Sequence, residues 1–390
     1  MATYLDHAGS LALNAPESGI VELVNRGRGR ENLLPLWVGE GDLPTPDFIA
    51  KAAAASLERG ETFYTWQRGI PELRDALSKY HLKHFSKQLD ADRFIVTGSG
   101  MQAIQLAIRA LLNTGDEALY FTPAWPNFAA AVDLAAAVAK PVRLLWGSDG
   151  FYCDIEVLRA ALTPKTKAIF VNSPANPSGW TASLDSLKEI LEFAREHGLW
   201  IIADEIYNRF SYNAARAPSF FDIMEDSDRI IFVNSFSKNW AMTGWRAGWL
   251  TIPAELGQIF ENLVQYSTSG VAEFIQRGAI AALNDGDVFV DMQVARARQA
   301  RDILTKALSQ SNRVICVPPQ GAFYLYFKVD GWADGRAAAI DLLDKTGLGL
   351  APGTAFGVGT EDWLRLCFNR DLNHIRDAAG RLSHWLNDKI

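Results

Sequence analysis

The chain carries a lysine, Lys238, in the run Arg229-Ile230-Ile231-Phe232-Val233-Asn234-Ser235-Phe236-Ser237-Lys238, where an apolar strand gives way to small hydroxyl residues. Arg246 follows eight residues later, flanked by Gly244, Trp245 and Gly248. A lysine in that position stands at a sheet's carboxyl edge, where α/β proteins place ligands. A lone lysine is ordinarily a solvated surface charge. Here an acid, a phenol, amides and further cations accompany it, and such a set makes sense around one ligand.

Gly98-Ser99-Gly100-Met101-Gln102-Ala103 follows a strand and opens a helix. Its free amides and the Ser99 hydroxyl suit a phosphate. The same residues match the dinucleotide fingerprint G-x-G-x-x-G/A, with Asp116 and Glu117 near the distance expected for a ribose contact. Asn172-Ser173-Pro174-Ala175-Asn176-Pro177 reads as a strand ending in a rigid turn. Each proline holds its predecessor extended, which leaves the Asn176 amide free to donate. Leu199-Trp200-Ile201-Ile202-Ala203 runs into Asp204 and, three residues on, Tyr207. A carboxylate ending so apolar a strand requires a facing cation, either a basic side chain or the protonated ring nitrogen of a bound cofactor, which Asp204 would keep protonated. Tyr207 could reach the same ring, and Trp125, just past the second strand, could stack on it. Arg365 alternates with Leu364 and Leu366 in a last apolar strand. It calls for a planar anion, an internal carboxylate or a substrate's.

These residues must be positioned by a regular frame. Apolar strands are expected at 94–97, 118–122, 142–146, 168–172, 199–203, 230–234 and 247–252, with helices between most of them at 101–112, 125–139 and 184–197. That alternation indicates a mainly parallel seven-stranded sheet covered by helices on both faces. Before it come an arm over residues 1–45, a helix at 47–59 with Asp47 as its cap, and a helix opened by Pro71. After it come a long helical region at 255–309 and then strands at 314–317, 322–329, near 350 and 363–368 interleaved with helices, which suggest a smaller α+β domain.

The net charge of −7 excludes a general nucleic-acid binder, which needs a basic face. No apolar run reaches membrane-spanning length and the first residues lack a signal pattern, so a cytoplasmic protein is expected. The cysteines, Cys153, Cys316 and Cys367, are odd in number and far apart, as in a reducing compartment. His81 and His84, at helical spacing in a basic segment, read as surface residues, and no metal site is expected.

Together, NSPANPSG (172–179), ADEIY (203–207), SFSKNWAMTGWRAG (235–248), APGTAFG (351–357) and WLRLCF (363–368) resemble the class I aminotransferases, fold type I enzymes dependent on pyridoxal 5′-phosphate. The resemblance runs from about residue 33 to 368 with the motifs in the family's order. It implies Lys238 as the Schiff-base lysine and general base, Asp204 on the pyridinium nitrogen, Asn176 and Tyr207 on the ring oxygen, and Trp125 stacked on the ring. Ser99, Gly100, Met101, Ser235 and Arg246 would hold the phosphate, and Arg365, with Asn176 and the backbone near Gly39, the substrate's α-carboxylate. Tyr64 matches the tyrosine that reaches a neighbouring subunit's phosphate, which implies a homodimer with shared sites; Ser267–Ser269 match loosely at the same interface.

The domains then expected are a large cofactor-binding one over 46–290 and a small one made of 1–45 and 291–390. The reaction implied is ping-pong transfer of an L-amino acid's amino group to a 2-oxo acid, 2-oxoglutarate being the expected acceptor. The aromatic residues Trp37, Phe63, Trp66, Phe128 and Phe356 suggest an entrance suited to an aromatic or broad donor, with aspartate the alternative. For a distal carboxylate only Arg68 and Arg109 stand out, and both read as solvated. A β-eliminating C–S lyase on the same fold is the nearest rival, though such relatives typically carry histidine at the place of Tyr207 and lack the arginine matching Arg246. An NAD-dependent dehydrogenase would explain only the glycine-rich turn.

Overall fold

A computed structural model describes residues 4–388. Seven strands form the central sheet: β1 (Phe94–Thr97), β2 (Glu117–Thr122), β3 (Val138–Arg143), β4 (Thr166–Asn172), β5 (Trp200–Asp204), β6 (Ile230–Ser235) and β7 (Gly248–Thr251). Their order is β1-β7-β6-β5-β4-β2-β3. β7 runs antiparallel to both neighbours, and the other pairs are parallel. The carboxyl ends of β1, β2, β4, β5 and β6 therefore share one edge.

Successive strand residues point to opposite faces, and each face has its own apolar core. Val96, Ile169, Ile201, Ile230 and Phe232 pack on one side, and Ile95, Phe170, Ile202, Ile231 and Val233 on the other. Helix Gly100–Leu111 buries Ala103, Ile104, Ala107 and Ile108, the three-and-four spacing of an amphipathic helix. Helix Leu184–His197 starts at Ser183, whose side chain accepts from the Ser186 amide at 3.1 Å, and stops at Gly198 with φ of 64°.

The second sheet comprises β8 (Val314–Cys316), β9 (Tyr324–Val329), β10 (Ala351–Pro352) and β11 (Trp363–Cys367), all antiparallel in the order β8-β9-β11-β10. Helices Gly335–Thr346 and Leu372–Asn387 cover it. The N-terminal arm is tied to this body by Leu34–Pro35, which pairs in parallel with Leu348–Gly349. Helix Asp287–Leu308 links the two cores: Val290 packs with the large sheet, and Ala297 and Leu304 with the small one.

Several local expectations fail for tertiary reasons. The helix expected to reach 139 spans Asn127–Leu134; Ala136 turns left-handed at φ of 59°, and Val138 pairs with Glu117. Sheet pairing overrides the alanine run's helix propensity, and the strand expected at 142–146 is displaced to Val138–Arg143, followed by a hairpin of Leu145–Gly147 with Gly150–Tyr152. The long helical region at 255–309 is three helices, Gly257–Gln265, Glu273–Asp285 and Asp287–Leu308, interrupted by a turn with Gly270 at φ of 104° and by Gly286. Asp47 is the first helical residue after Pro46, with no side-chain cap; its charge favours the helix's positive end instead.

His81 is not at the surface: it is fully buried against Phe85, Phe94, Phe221 and Trp249, on the face shared with Leu77. His84 is mostly buried beside Arg209 and Asp287. Among the described residues the three cysteines are free, and no helix is long and apolar enough to cross a membrane.

Candidate active site

A cavity of about 680 Å³ opens where the carboxyl edge of the large sheet faces the arm and β9–β11. Gly39, Gly100, Met101, Trp125, Asn176, Asp204, Tyr207, Ser235, Lys238, Arg246 and Arg365 all line it. Residues spread from 39 to 365 thus meet in one place.

Lys238 follows β6 in the short helix Phe236–Asn239, started by Ser235, whose Oγ accepts from the Ser237 amide at 3.1 Å. Its Nζ donates to the Gly39 carbonyl at 2.7 Å, so the arm holds the amine in the cavity. Burial lowers the Lys238 ammonium to about 8, opposed by Cys367 and Glu40 and assisted by Arg365 and Arg246. Asp204 ends β5, almost fully buried, with Oδ1 accepting from the Ile206 amide at 3.3 Å. Burial raises its carboxyl to about 7, against the Ile206 N–H and the Lys238 charge. Among the described residues no basic side chain forms an ion pair with it, which leaves a ligand's cation as the partner its position demands. Glu205 points the other way and is satisfied by Ser219 at 2.7 and 2.8 Å and the Phe220 amide at 3.2 Å.

Asn172 at the end of β4 orients Asn176, accepting from its backbone amide at 2.9 Å. Arg365 in β11 donates to Asn176 Oδ1 at 2.9 Å and to the Trp37 carbonyl. Its guanidinium lies 4.7 Å from the Phe356 ring centroid and 4.9 Å from that of Tyr324. It is 3% exposed, its Nε has no partner, and among the described residues no carboxylate pairs with it. The internal-partner alternative is thereby removed, and an anionic ligand remains.

The glycine-rich turn sits beside these groups. Ser99 Oγ caps helix Gly100–Leu111, accepting from the Gln102 amide at 2.9 Å, and Ser99 is not itself among the residues lining the cavity, which begin at Gly100 on this turn. Gly248 is required here, because a Cβ would meet the Gly100 nitrogen at 2.9 Å and the Asn234 oxygen at 2.8 Å. Arg246 adopts a left-handed φ of 55° and donates to the Thr243 carbonyl at 2.7 Å, which places its charge at the same cup. Asp116 and Glu117 stand at the amino end of β2, on the opposite sheet edge, and Glu117 pairs with Lys140 at 3.4 Å, so neither completes a dinucleotide site.

The aromatic entrance is only partly assembled. Trp37 and Phe356 line the cavity, whereas Phe128 is core, stacked on Phe170 at 3.9 Å, and Phe63 and Trp66 are exposed elsewhere. Tyr64 is 93% exposed and does not line this chain's cavity. Gln102 Nε2 donates to Ser267 Oγ at 3.2 Å and to Thr268 Oγ1 at 3.0 Å, which joins that loop to the phosphate cup. Arg68 is tied to Glu261 at 2.7 Å and Arg109 is exposed on its helix. Sequence reasoning missed Tyr324, whose apolar strand reads as core, and Arg28, which follows arm helix Val21–Gly27 and lines the cavity mouth. The Arg28 backbone amide donates to the Asn25 carbonyl at 3.3 Å, but its side chain makes no hydrogen bond or ion pair among the described residues, where no cluster of side chains could hold a metal ion either.

A buried amine, a buried acid lacking a cation, a helix start with an arginine and a guanidinium lacking an anion form the donor set for an aromatic aldehyde phosphate and an amino acid carboxylate together. Comparison with known proteins agrees. The chain is 32% identical over 373 residues to a probable aspartate aminotransferase of Methanocaldococcus jannaschii, covering 94% of this chain and 96% of that protein. It is 30% identical to an aromatic-amino-acid aminotransferase 2 of Thermococcus litoralis over 95% of this chain and 96% of that protein. The solved aspartate aminotransferase of Thermotoga maritima superposes with a TM-score of 0.92 at 30% identity, over 98% of this chain and 100% of that one. Residues 31–382 match the family described as aminotransferase class I and II, and with that site geometry behind it the chain belongs to this family of pyridoxal-phosphate-dependent transferases.

Proposed function

We propose that the protein transfers the amino group of an L-amino acid to a 2-oxo acid, with 2-oxoglutarate as acceptor, in two half-reactions of a ping-pong cycle. The observation that carries this reading is the buried Arg365 guanidinium, without a carboxylate partner among the described residues, facing the same cavity as the Lys238 amine. A carboxylate held bidentately there presents an amino acid's α carbon to the lysine.

When bound, the cofactor supplies the electron sink for the charge left on that carbon. Lys238 would carry the cofactor and then, as the free amine that burial favours near pH 8, take the proton from the substrate's α carbon. Asp204, which burial makes basic, would hold a proton on the ring nitrogen. Asn176 turns its Oδ1 to Arg365, which leaves its Nδ2 to donate into the cavity with the Tyr207 hydroxyl beside it. Trp125 would pack on the ring, and Ser99, Gly100, Met101, Ser235 and Arg246 would hold the phosphate. The Gly39 backbone would assist Arg365 at the carboxylate.

The reading includes a homodimer, supported by the outward cluster Phe63, Tyr64, Trp66 and Tyr266, in which each Tyr64 reaches the other copy's phosphate. It also includes a division into a large domain of 46–290 and a small one of 1–45 and 291–390, supported by the separate apolar cores, and a cytoplasmic location, supported by the free thiols. For the donor, the relatives named for aspartate and for aromatic amino acids bracket the choice, and the unpaired Arg28 at the mouth favours a dicarboxylate.

The test is visible absorbance of the purified, cofactor-loaded protein with a panel of amino acids. A band that bleaches with particular donors and returns with 2-oxoglutarate is expected, and Lys238→Ala should lose turnover while remaining folded. Normal turnover by Lys238→Ala would overturn the mechanism. Ammonia and pyruvate released without bleaching would replace transfer by elimination.

A further inference from the structure

The Tyr207 hydroxyl does not face the cavity alone. It lies 2.7 Å from the Tyr324 hydroxyl, and both side chains are buried, with ring centroids 5.6 Å apart at 84°. The three groups meeting here come from three parts of the chain. Tyr207 follows β5 of the large sheet, Tyr324 begins β9 of the small one, and Gly39 belongs to the arm. The Tyr324 hydroxyl is also 3.4 Å from the Gly39 carbonyl, the same oxygen that accepts from Lys238 at 2.7 Å. Gly39 admits the contact because it has no side chain; a Cβ there would collide with the Tyr324 hydroxyl.

Each phenol has one proton and can accept through oxygen lone pairs. Burial raises both hydroxyls above the ordinary tyrosine range, so both protons are in place at working pH. If Tyr207 donated to Tyr324, it would have nothing left to give a ligand. Tyr324 has two acceptors in reach, Gly39 at a long 3.4 Å and Tyr207 at 2.7 Å, and the nearer one makes much the better hydrogen bond. A donor on the Tyr207 oxygen also polarises the outward O–H bond and strengthens whatever bond it makes next.

We infer that Tyr324 is a positioning residue that donates its proton to Tyr207, thereby committing the single Tyr207 proton to the cofactor's ring oxygen. The inference rests on the proposed role of Tyr207. It adds that the strength of that contact is set by a residue of the small sheet, and so forms only when arm, large sheet and small sheet are brought together. Tyr324 acts here through its oxygen alone. Its ring has a separate task beneath the Arg365 guanidinium, 4.9 Å away, and phenylalanine preserves that task.

The experiment titrates the visible absorbance of the cofactor-loaded, full-length protein against pH, without substrate, for the parent, Tyr207→Phe, Tyr324→Phe and the double variant. A donor on the ring oxygen stabilises its negative charge and competes with the proton shared by the neighbouring nitrogen. Weakening the donor therefore raises the midpoint. Tyr207→Phe should raise it most, and Tyr324→Phe should raise it by a smaller amount, about half a pH unit, because one bond's cooperative share is lost. The double variant should titrate like Tyr207→Phe, since Tyr324 acts through Tyr207. An unmoved midpoint in Tyr324→Phe beside a shifted Tyr207→Phe would overturn the inference while leaving the site reading intact. Additive shifts in the double variant would overturn it too, by showing an independent route. An unmoved midpoint in Tyr207→Phe would overturn the reading of the site itself.

Discussion

Arg365 donates to Asn176 Oδ1 at 2.9 Å across 189 residues of sequence, and that bond joins the small sheet to the carboxyl edge of the large one. The guanidinium uses its other contacts on the Trp37 carbonyl and two aromatic faces, and retains an unpartnered Nε. Lysine offers a charge there without the planar fork. Arg365→Lys should therefore lower kcat/KM by roughly 100-fold, chiefly through KM, which steady-state kinetics with any donor would read. Loss confined to kcat would mean the residue does not hold the ground-state carboxylate.

Asp204 makes the resting protein pay for its readiness. Its carboxyl is raised to about 7 in the folded chain by burial, well above its ordinary value of 3.8. A raised carboxyl contributes stability that is complete below the unfolded value and is lost as pH rises through the folded one. Asp204→Asn removes that loss. In the cofactor-free protein the variant should match the parent near pH 4, gain on it up to pH 7, and hold a constant advantage above, ~4 kcal/mol at most by the free energy per pKa unit. Thermal melts of both proteins across that range check the profile, and a variant less stable at pH 8 would contradict it.

The parts of the site that could be read from sequence share one property: a polar residue stands inside an apolar strand or within a few residues of its end. Lys238, Asp204, Asn176 and Arg365 all have that signature, and all four line the cavity. Tyr324 lacks it, because a tyrosine between Phe323 and Leu325 is indistinguishable from core until β9 is paired with β11. Arg28 lacks it as well, since it follows a short arm helix whose placement depends on long-range contacts. The sheet order could not be read locally either. β7 enters antiparallel between β1 and β6, and nothing in its residues distinguishes that from a parallel neighbour. His81 is misread as a surface residue, although it lies four residues after Leu77 and four before Phe85, on the helix's buried stripe.

That histidine is an acid liability. Burial depresses its imidazolium to about 3, with the charges of His84 and Arg93 adding to the fall, and both ring nitrogens lack partners. A histidine lowered in the folded state contributes stability that is complete above the unfolded value of 6.5 and is lost as pH falls toward the folded one. His81→Phe, which fits the surrounding aromatic cage, should raise the melting temperature at pH 5 by more than at pH 8. The pH-dependent part of the gain is about 2 kcal/mol at pH 5. Equal shifts at the two pH values would assign the effect to packing alone.

Arg28 bears on substrate choice. Arg365, Arg246 and Lys238 are each placed against a part of the site already described, whereas Arg28 faces the cavity mouth with no carboxylate of its own among the described residues. The arm lines that wall with Ser18, Ile20, Val21, Val24 and Asn25, none of them charged, so a distal carboxylate reaching this side of the cavity would meet Arg28 as its one cation there. Losing it removes an interaction that only a second carboxylate makes. Arg28→Gln should therefore reduce kcat/KM for aspartate, glutamate and 2-oxoglutarate by about 10- to 100-fold, the range expected for one charge-assisted contact, and leave alanine and phenylalanine unchanged. The comparison is internal to one protein, because the half-reaction with a monocarboxylate reports on the same lysine and the same cofactor. A uniform loss across all donors would mean that Arg28 supports the arm and does not read the substrate, and no loss with any donor would return the choice to the aromatic wall of Trp37 and Phe356.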